Sequence, residues 1–204
     1  MKTIRNLAAA MMVLAVPAFG QERQSGMQGP DSLPAGVYEI DSKETLVRYG
    51  TVHMGFNEFW GTFPGATGTL TINPKMVDAA KLDVMVPVAM VETTNQELNG
   101  ALVSDTFFDA KNYPSMHFVS TEVMRTGAAT AKVTGNLTMH GVTRPVVLDV
   151  TFNAAGPNAF DAKLLTAGFK AVGMVNRSDF GLGKWVPIVS DATSITISVA
   201  FVKK

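Results

Sequence analysis

The chain contains no cysteine. That absence removes disulfides, thiolate nucleophiles and thiolate metal sites together, so stability must come from the core. An excess of either charge is lacking too, with 17 basic residues against 17 acidic ones. A near-neutral chain has no electrostatic footprint for nucleic acid or for anionic membrane surfaces. Histidine is scarce, with three in the whole chain, His53, His117 and His140. No two of them stand at i, i+2 or i, i+4, and HExxH, GxSxG, P-loop and GxGxxG motifs are all missing. A metal-dependent enzyme would need those three histidines to converge from distant strands. Scattered strand histidines are more often hydrogen-bonded structural residues, and no cofactor or metal is expected.

Long apolar runs are also few. The first 20 residues, "MKTIRNLAAAMMVLAVPAFG", carry Lys2 and Arg5, then an apolar run from Leu7 to Ala18. That run is shorter than the ~20 residues that span a bilayer, and the small residues Ala18 and Gly20 suit a signal-peptidase site. A secretory signal peptide over 1–20 is therefore expected, with cleavage before Gln21. Loss of Lys2 and Arg5 with it leaves 15 basic residues against 17 acidic ones, a mature net charge of about −2. No later segment suits a membrane helix. The next stretch, "QERQSGMQGPDSLP", is polar and rich in glycine and proline, and residues 21–35 read as a flexible leader.

What the rest of the chain does have is alternation with period two. Leu82, Val84, Val86 and Val88 share one face, as do Val146, Leu148, Val150 and Phe152, and Ile195, Ile197, Val199 and Phe201. "ATGTLTIN", "SMHFVSTEV", "AKVTGNLTM" and "LLTAGFKAVGMV" alternate less strictly. About eight antiparallel strands result, in one all-β domain over 36–204. One stretch breaks the pattern. In "TNQELNGALVSD" (94–105), Thr94 and Glu97 match a capping box, and Leu98, Ala101 and Leu102 recur at helical spacing. A short helix is expected there, and a weaker helical turn at 75–80. Such strands form a sandwich or a closed barrel. Closure removes exposed edges, and an eight-stranded barrel holds side chains or one small ligand. Phenylalanines in polar-looking connections, Phe56, Phe59, Phe63, Phe107, Phe108 and Phe180, favour the barrel, either lining an interior or plugging its ends.

In "NRSDFGLG", Arg177 and Asp179 stand two apart and share a face if the segment is extended. They suit an ion pair that fixes a barrel rim, or a polar clamp for a ligand head group.

"LTMHGVTRPV" (137–146), together with "VYEID", "VHMGFNEFWGTF", "FFDAKNYPSMHF", "NRSDFGLG" and "SDATSITISVAF", resembles the YceI-like family. The match runs in the family's order over nearly all of 36–202. The resemblance implies an exported, lipocalin-like antiparallel barrel with eight strands and a short helix inserted between them. It implies an amphiphilic isoprenoid ligand, a polyisoprenoid or an isoprenoid quinone, held in an elongated interior without covalent chemistry. It also implies the periplasm, and often a homodimer. On this reading His140-Gly141 is a tight turn and the next strand is entered at Pro145. One departure concerns "MVETTNQELNGAL", where Met90, Glu92 and Ala101 replace polar residues usual in the family, which puts the head group in doubt.

Strand parity and the helix face select Phe56, Phe63, Leu70, Val86, Leu98, Leu102, Phe107, Phe118, Met139 and Phe169 as cavity lining. Arg177 and Asp179 are the expected rim residues near a head group. The competing expectations are the three-histidine metal enzyme and a filled, ligand-free structural or stress-response barrel.

Overall fold

A computed structural model describes residues 29–158 and 160–203. The expected signal peptide lies outside them. Of the expected leader, the part from residue 29 onward packs onto the domain: a single 3-10 turn, Pro30–Ser32, delivers Leu33 into the core, where it is 3% exposed. The Tyr38 hydroxyl donates to Pro34 O at 2.7 Å and pins this entry.

The strands are β1 Gly36–Ile40, β2 Leu46–His53, β3 Asn57–Phe63, β4 Thr67–Ile72, β5 Lys81–Pro87, β6 Glu92–Thr93, β7 Ser115–Arg125, β8 Thr130–Met139, β9 Val142–Pro157, β10 Leu165–Asn176 and β11 Val189–Lys203. All pairings are antiparallel. Eight strands, in the order β1-β4-β5-β7-β8-β9-β10-β11, close on themselves through Glu39↔Val202 and Ile40↔Phe201. This is the expected eight-stranded barrel. Three further strands extend it. β11 is long enough to pair with β1 near its C-terminal end and with β2 over Val189–Ser198, so β2, β3 and β6 flare from its first half.

The period-two pattern explains why the ring closes around one interior. Val146 and Leu148 of β9 are each 6% exposed, while Val147 between them faces out at 43%. The parity survives to Phe152 and then breaks. Phe169↔Phe152 is followed by Gly168↔Ala154, so Asn153 is an extra residue and Ala155 becomes the next buried position. Such a bulge bends a strand and re-aims its side chains, as barrel closure requires.

The helix, α1 Gln96–Val103, lies between β6 and β7 in the chain and turns Leu98 and Leu102 toward the barrel interior. Its N-cap is Asn95, one residue later than the Thr94 capping box implies. The Asn95 side chain accepts from the N–H groups of Glu97 at 3.0 Å and Leu98 at 3.2 Å. Asn serves at least as well as Thr in that role. The weaker helical turn is a 3-10 turn, Val77–Ala79.

Two buried clusters occupy the barrel. The larger, with Phe63, Val86, Leu102, Met116, Phe118 and Met139, lies toward the helical end. The smaller, with Leu33, Tyr38, Leu70, Phe152, Ala167 and Phe201, closes the opposite end.

Candidate functional site: an elongated cavity with a polar wall

The inward side chains do not fill the ring. They leave a cavity of about 630 Å³, whose walls run from Phe107, Lys184 and Trp185 at one end to Ile72, Val77 and Lys81 at the other. That volume falls within the range of about 300–1,000 Å³ usual for ligand pockets. Its shape depends on glycines that let aromatic rings lie flat against the wall. The Phe118 ring occupies the space beside Gly135, where an added Cβ would come within 2.3 Å of it. Tilted and edge-on contacts then join the rings into two groups. Phe63 meets Tyr49 at 5.4 Å and Phe108 at 5.5 Å between ring centroids, while Phe169 meets Phe152 at 5.3 Å and Phe201 at 5.9 Å.

Of the residues selected by parity, Phe63, Leu70, Val86, Leu98, Leu102, Phe107, Phe118, Met139 and Phe169 all face this space. Phe56 does not. Met54 and Gly55, at φ 51° and 73°, make a two-residue turn that the Phe56 N–H closes by donating to His53 O at 3.0 Å. Phe56 therefore lands on the outside of a hairpin tip, 84% exposed. Strand parity gives no guidance once the chain has turned.

The rim pair also differs from expectation. Arg177 opens a 3-10 turn, Arg177–Phe180, rather than an extended segment, so Asp179 points to solvent and does not share its face. The Arg177 guanidinium binds backbone instead. Nε donates to Ser190 O at 2.9 Å, Nη2 to Val189 O at 2.9 Å, and Nη1 to Lys184 O at 2.7 Å and to Leu182 O. Burial lowers its pKa from the ordinary value, and Asp191 opposes that shift. Asp191 itself accepts from the Ser178 hydroxyl at 2.6 Å and the Ser178 N–H at 2.8 Å, which hold its carboxyl below the usual range. Arg177 is thus the internal strut of the β10–β11 loop, with four of its five N–H donors committed to backbone carbonyls.

The three histidines stand apart. His53 lines the cavity at the end of β2. His117 faces outward on β7 between the inward Met116 and Phe118, and its Nε2 lies 2.7 Å from Asp83 Oδ1. His140 occupies the β8–β9 turn at φ 51°, followed by Gly141 at φ 74°. Its Nδ1 lies 3.2 Å from Phe180 O and its ring packs edge-on to Tyr113 at 5.0 Å, so it ties the hairpin to the neighbouring loop. Among the described residues, no group of three or more His, Asp or Glu is placed to hold a metal.

Sequence reasoning missed the cavity's polar wall. Tyr49, Thr51 and His53 are successive inward positions of β2, and Thr193 of β11 pairs with Thr51. The signal was present, because the parity that turns Ile195 and Ile197 inward does the same for Thr193. Burial pushes the Tyr49 phenol up to about 12, so it is neutral at ordinary pH and able to donate. Below this level the walls are mostly aliphatic and aromatic, with Thr45 and Lys81 as polar positions among them. The cavity is therefore amphiphilic along its length, polar on one wall toward the Trp185 end and predominantly apolar beyond.

The comparisons agree with this architecture. The chain is 37% identical over 172 residues to a UPF0312 protein of Pseudomonas putida (strain GB-1), covering 83% of this chain and 88% of that one. The crystal structure of Burkholderia cenocepacia BcnA superposes with a TM-score of 0.71 at 25% identity, over 79% of this chain and 98% of that one. A polyisoprenoid binding domain from Saccharophagus degradans shares the fold at a TM-score of 0.60 and 12% identity, over 82% of this chain and 98% of that one. The YceI-like domain matches residues 38–201. With nearly the whole described barrel inside that match, the chain belongs to the YceI-like family.

Proposed function

We propose that the protein is a periplasmic carrier that holds a long-chain isoprenoid lipid or an isoprenoid quinone inside the barrel, and that it acts by binding rather than catalysis. The observation that carries this reading is the elongated cavity of about 630 Å³, apolar along most of its walls and polar on one side near the Trp185 end. A prenyl tail would lie among Phe63, Leu70, Val86, Leu98, Leu102, Phe107, Phe118, Met139 and Phe169. The head would lie against Tyr49, Thr51, His53 and Thr193, with Arg177 bracing the loop beside it.

The energetics favour such a ligand. Each buried CH₂ equivalent contributes roughly 0.8 kcal/mol, so a few isoprene units outweigh association and ordering costs. No ion pair in the interior needs to be broken. Met116 and Met139 add adaptable wall, which suits a flexible chain of variable length. The likeness to a protein described as a polyisoprenoid binding domain, with the family membership above, supports the ligand class. Among the described residues no helix is long and apolar enough to cross a membrane. The N-terminal 20 residues support export.

The test is mass spectrometry of an organic extract from the mature protein, purified from its native compartment without detergent. A near-stoichiometric prenyl lipid or quinone is expected. A clean extract, with no thermal stabilisation on adding such compounds, would replace this reading with a ligand-free barrel.

A further inference from the structure

Two loops at one end of the barrel are bound to each other and carry a concentrated set of exposed apolar side chains. The β2–β3 turn presents Met54, 49% exposed, and Phe56, 84% exposed. The β10–β11 loop presents Trp185, Val186 and Ile188, at 56%, 38% and 58%. The Met54 N–H donates to Ile188 O at 2.9 Å, and His53 pairs with Val189 directly behind, so the two tips form one surface. Isolated exposed apolar residues need no explanation, but five on two joined loops mark an interaction site.

The exposure is built into the fold. Arg177 clamps the carbonyls of Leu182, Lys184, Val189 and Ser190, while Phe180 and Leu182 anchor the loop's base in the core at 1% and 5% exposure. A loop held at both its base and its middle keeps its tip at the end of the barrel, where Trp185, Val186 and Ile188 stay exposed. Within the two tips, 54–56 and 181–188, the charged residue is Lys184. The opposite end of the barrel also exposes Met76, at 59%, and Phe160, at 94%, but they stand on separate loops beside the exposed charges of Lys75, Asp78, Asp161 and Lys163.

The same loops border the cavity. His53, Lys184 and Trp185 line it, and Lys184 and Trp185 are also exposed, so the interior meets the surface here. The polar wall of Tyr49, Thr51 and Thr193 leads to this rim. From this continuity we infer that the Met54–Phe56 and Trp185–Ile188 tips dock on a lipid bilayer, inserting at the head-group level so that an amphiphile enters or leaves without crossing water. This rests on the carrier reading. A bilayer fits better than a protein partner, because a partner seated on these tips would cap the opening, whereas a bilayer is where an insoluble tail resides. Trp and Phe flanked by a single Lys are also the side chains that favour the membrane–water interface. Apolar insertion drives the contact, since the chain as a whole is near neutral.

The test uses the full mature chain and vesicles of phosphatidylethanolamine and phosphatidylglycerol, half of them with brominated acyl chains. Co-sedimentation that persists in high salt is expected, with quenching of Trp185 fluorescence by the bromines that Trp185→Phe removes. The double variant Phe56→Gln/Ile188→Gln, whose positions lie outside the cavity, should bind vesicles about ten-fold less or worse while melting at the parent temperature. Absence of sedimentation by the parent, or equal sedimentation by the double variant, would overturn the inference. So would a concentration-dependent dimer that the double variant dissolves, which would assign the surface to a second copy of the chain. The organic extract separates the two readings. A lipid-laden extract with no vesicle binding defeats docking alone, and a clean extract with vesicle binding leaves docking standing while defeating the carrier.

Discussion

The Tyr49 ring lies across Gly61, its register partner on β3, so closely that a Cβ at Gly61 would come within 2.4 Å of Cε1 and 2.5 Å of Oη. Glycine at 61 therefore gives the phenol its seat and keeps the ring against the wall. Gly61→Ala should push the ring off that seat at a cost of about 1–3 kcal/mol, the usual scale of overpacking. Thermal melting of the variant measures it, and an unchanged Tm would show that the ring relocates freely.

Tyr49→Phe keeps the ring and removes only the donor. The fold should be retained, and affinity for a ligand with an acceptor in its head should fall about three- to ten-fold, one neutral hydrogen bond's worth. Binding of a plain hydrocarbon of similar length should not change. Parallel titrations of a prenyl quinone and squalene check both halves, and an equal loss for the two ligands would mean that Tyr49 acts through packing.

Ala171 faces the cavity from β10, between Val150 and Ile197 of the flanking strands, and is 6% exposed. Enlarging a core residue destabilises where neighbours already fill the space, but here the added volume enters a void. Ala171→Trp should fold with an equal or higher Tm and carry little or no lipid. Melting and organic extraction on the same preparation test the pair of outcomes, and full lipid occupancy would place the cargo elsewhere.

Much of this barrel was legible because one rule, inward on every second residue, governs each long strand. Val146, Leu148 and Phe152 obey it, and Leu98 and Leu102 obey its helical counterpart. It fails where the backbone changes geometry. Asn153 adds a residue to β9 and shifts the parity, and the turn at Met54-Gly55 carries Phe56 outside. A 3-10 turn at Arg177 separates it from Asp179. The carbonyls that Arg177 binds belong to a loop whose conformation no periodicity encodes. Conversely, Thr51 and Thr193 were readable from parity but look unremarkable beside aromatic residues. Their meaning emerges only when the register sets them opposite each other.

Arg177→Lys should expose the difference between a strut and a head-group ligand. An ammonium cannot span carbonyls on four residues as a guanidinium fork does. The variant should lose about 2–4 kcal/mol, and amide exchange should accelerate across 181–190 while the sheet stays protected. If stability and loop exchange are unchanged but lipid affinity falls, Arg177 contacts cargo directly.

Asp191 supplies the pH dependence. Its carboxyl titrates below its ordinary range in the folded protein, chiefly because Ser178 donates to it through both its hydroxyl and its N–H. A depressed folded pKa means the unfolded chain takes up this proton first on acidification. The stabilisation is therefore complete above the unfolded value of about 4 and fades as pH falls through the lower folded value. Asp191→Asn removes the charge while leaving an acceptor for the same turn. The variant should melt lower than the parent near neutral pH, and the two curves should converge as pH falls below the ordinary carboxylate range. A constant gap in Tm across that window would mean that Asp191 contributes through shape alone, with its ionisation immaterial to the Arg177 loop.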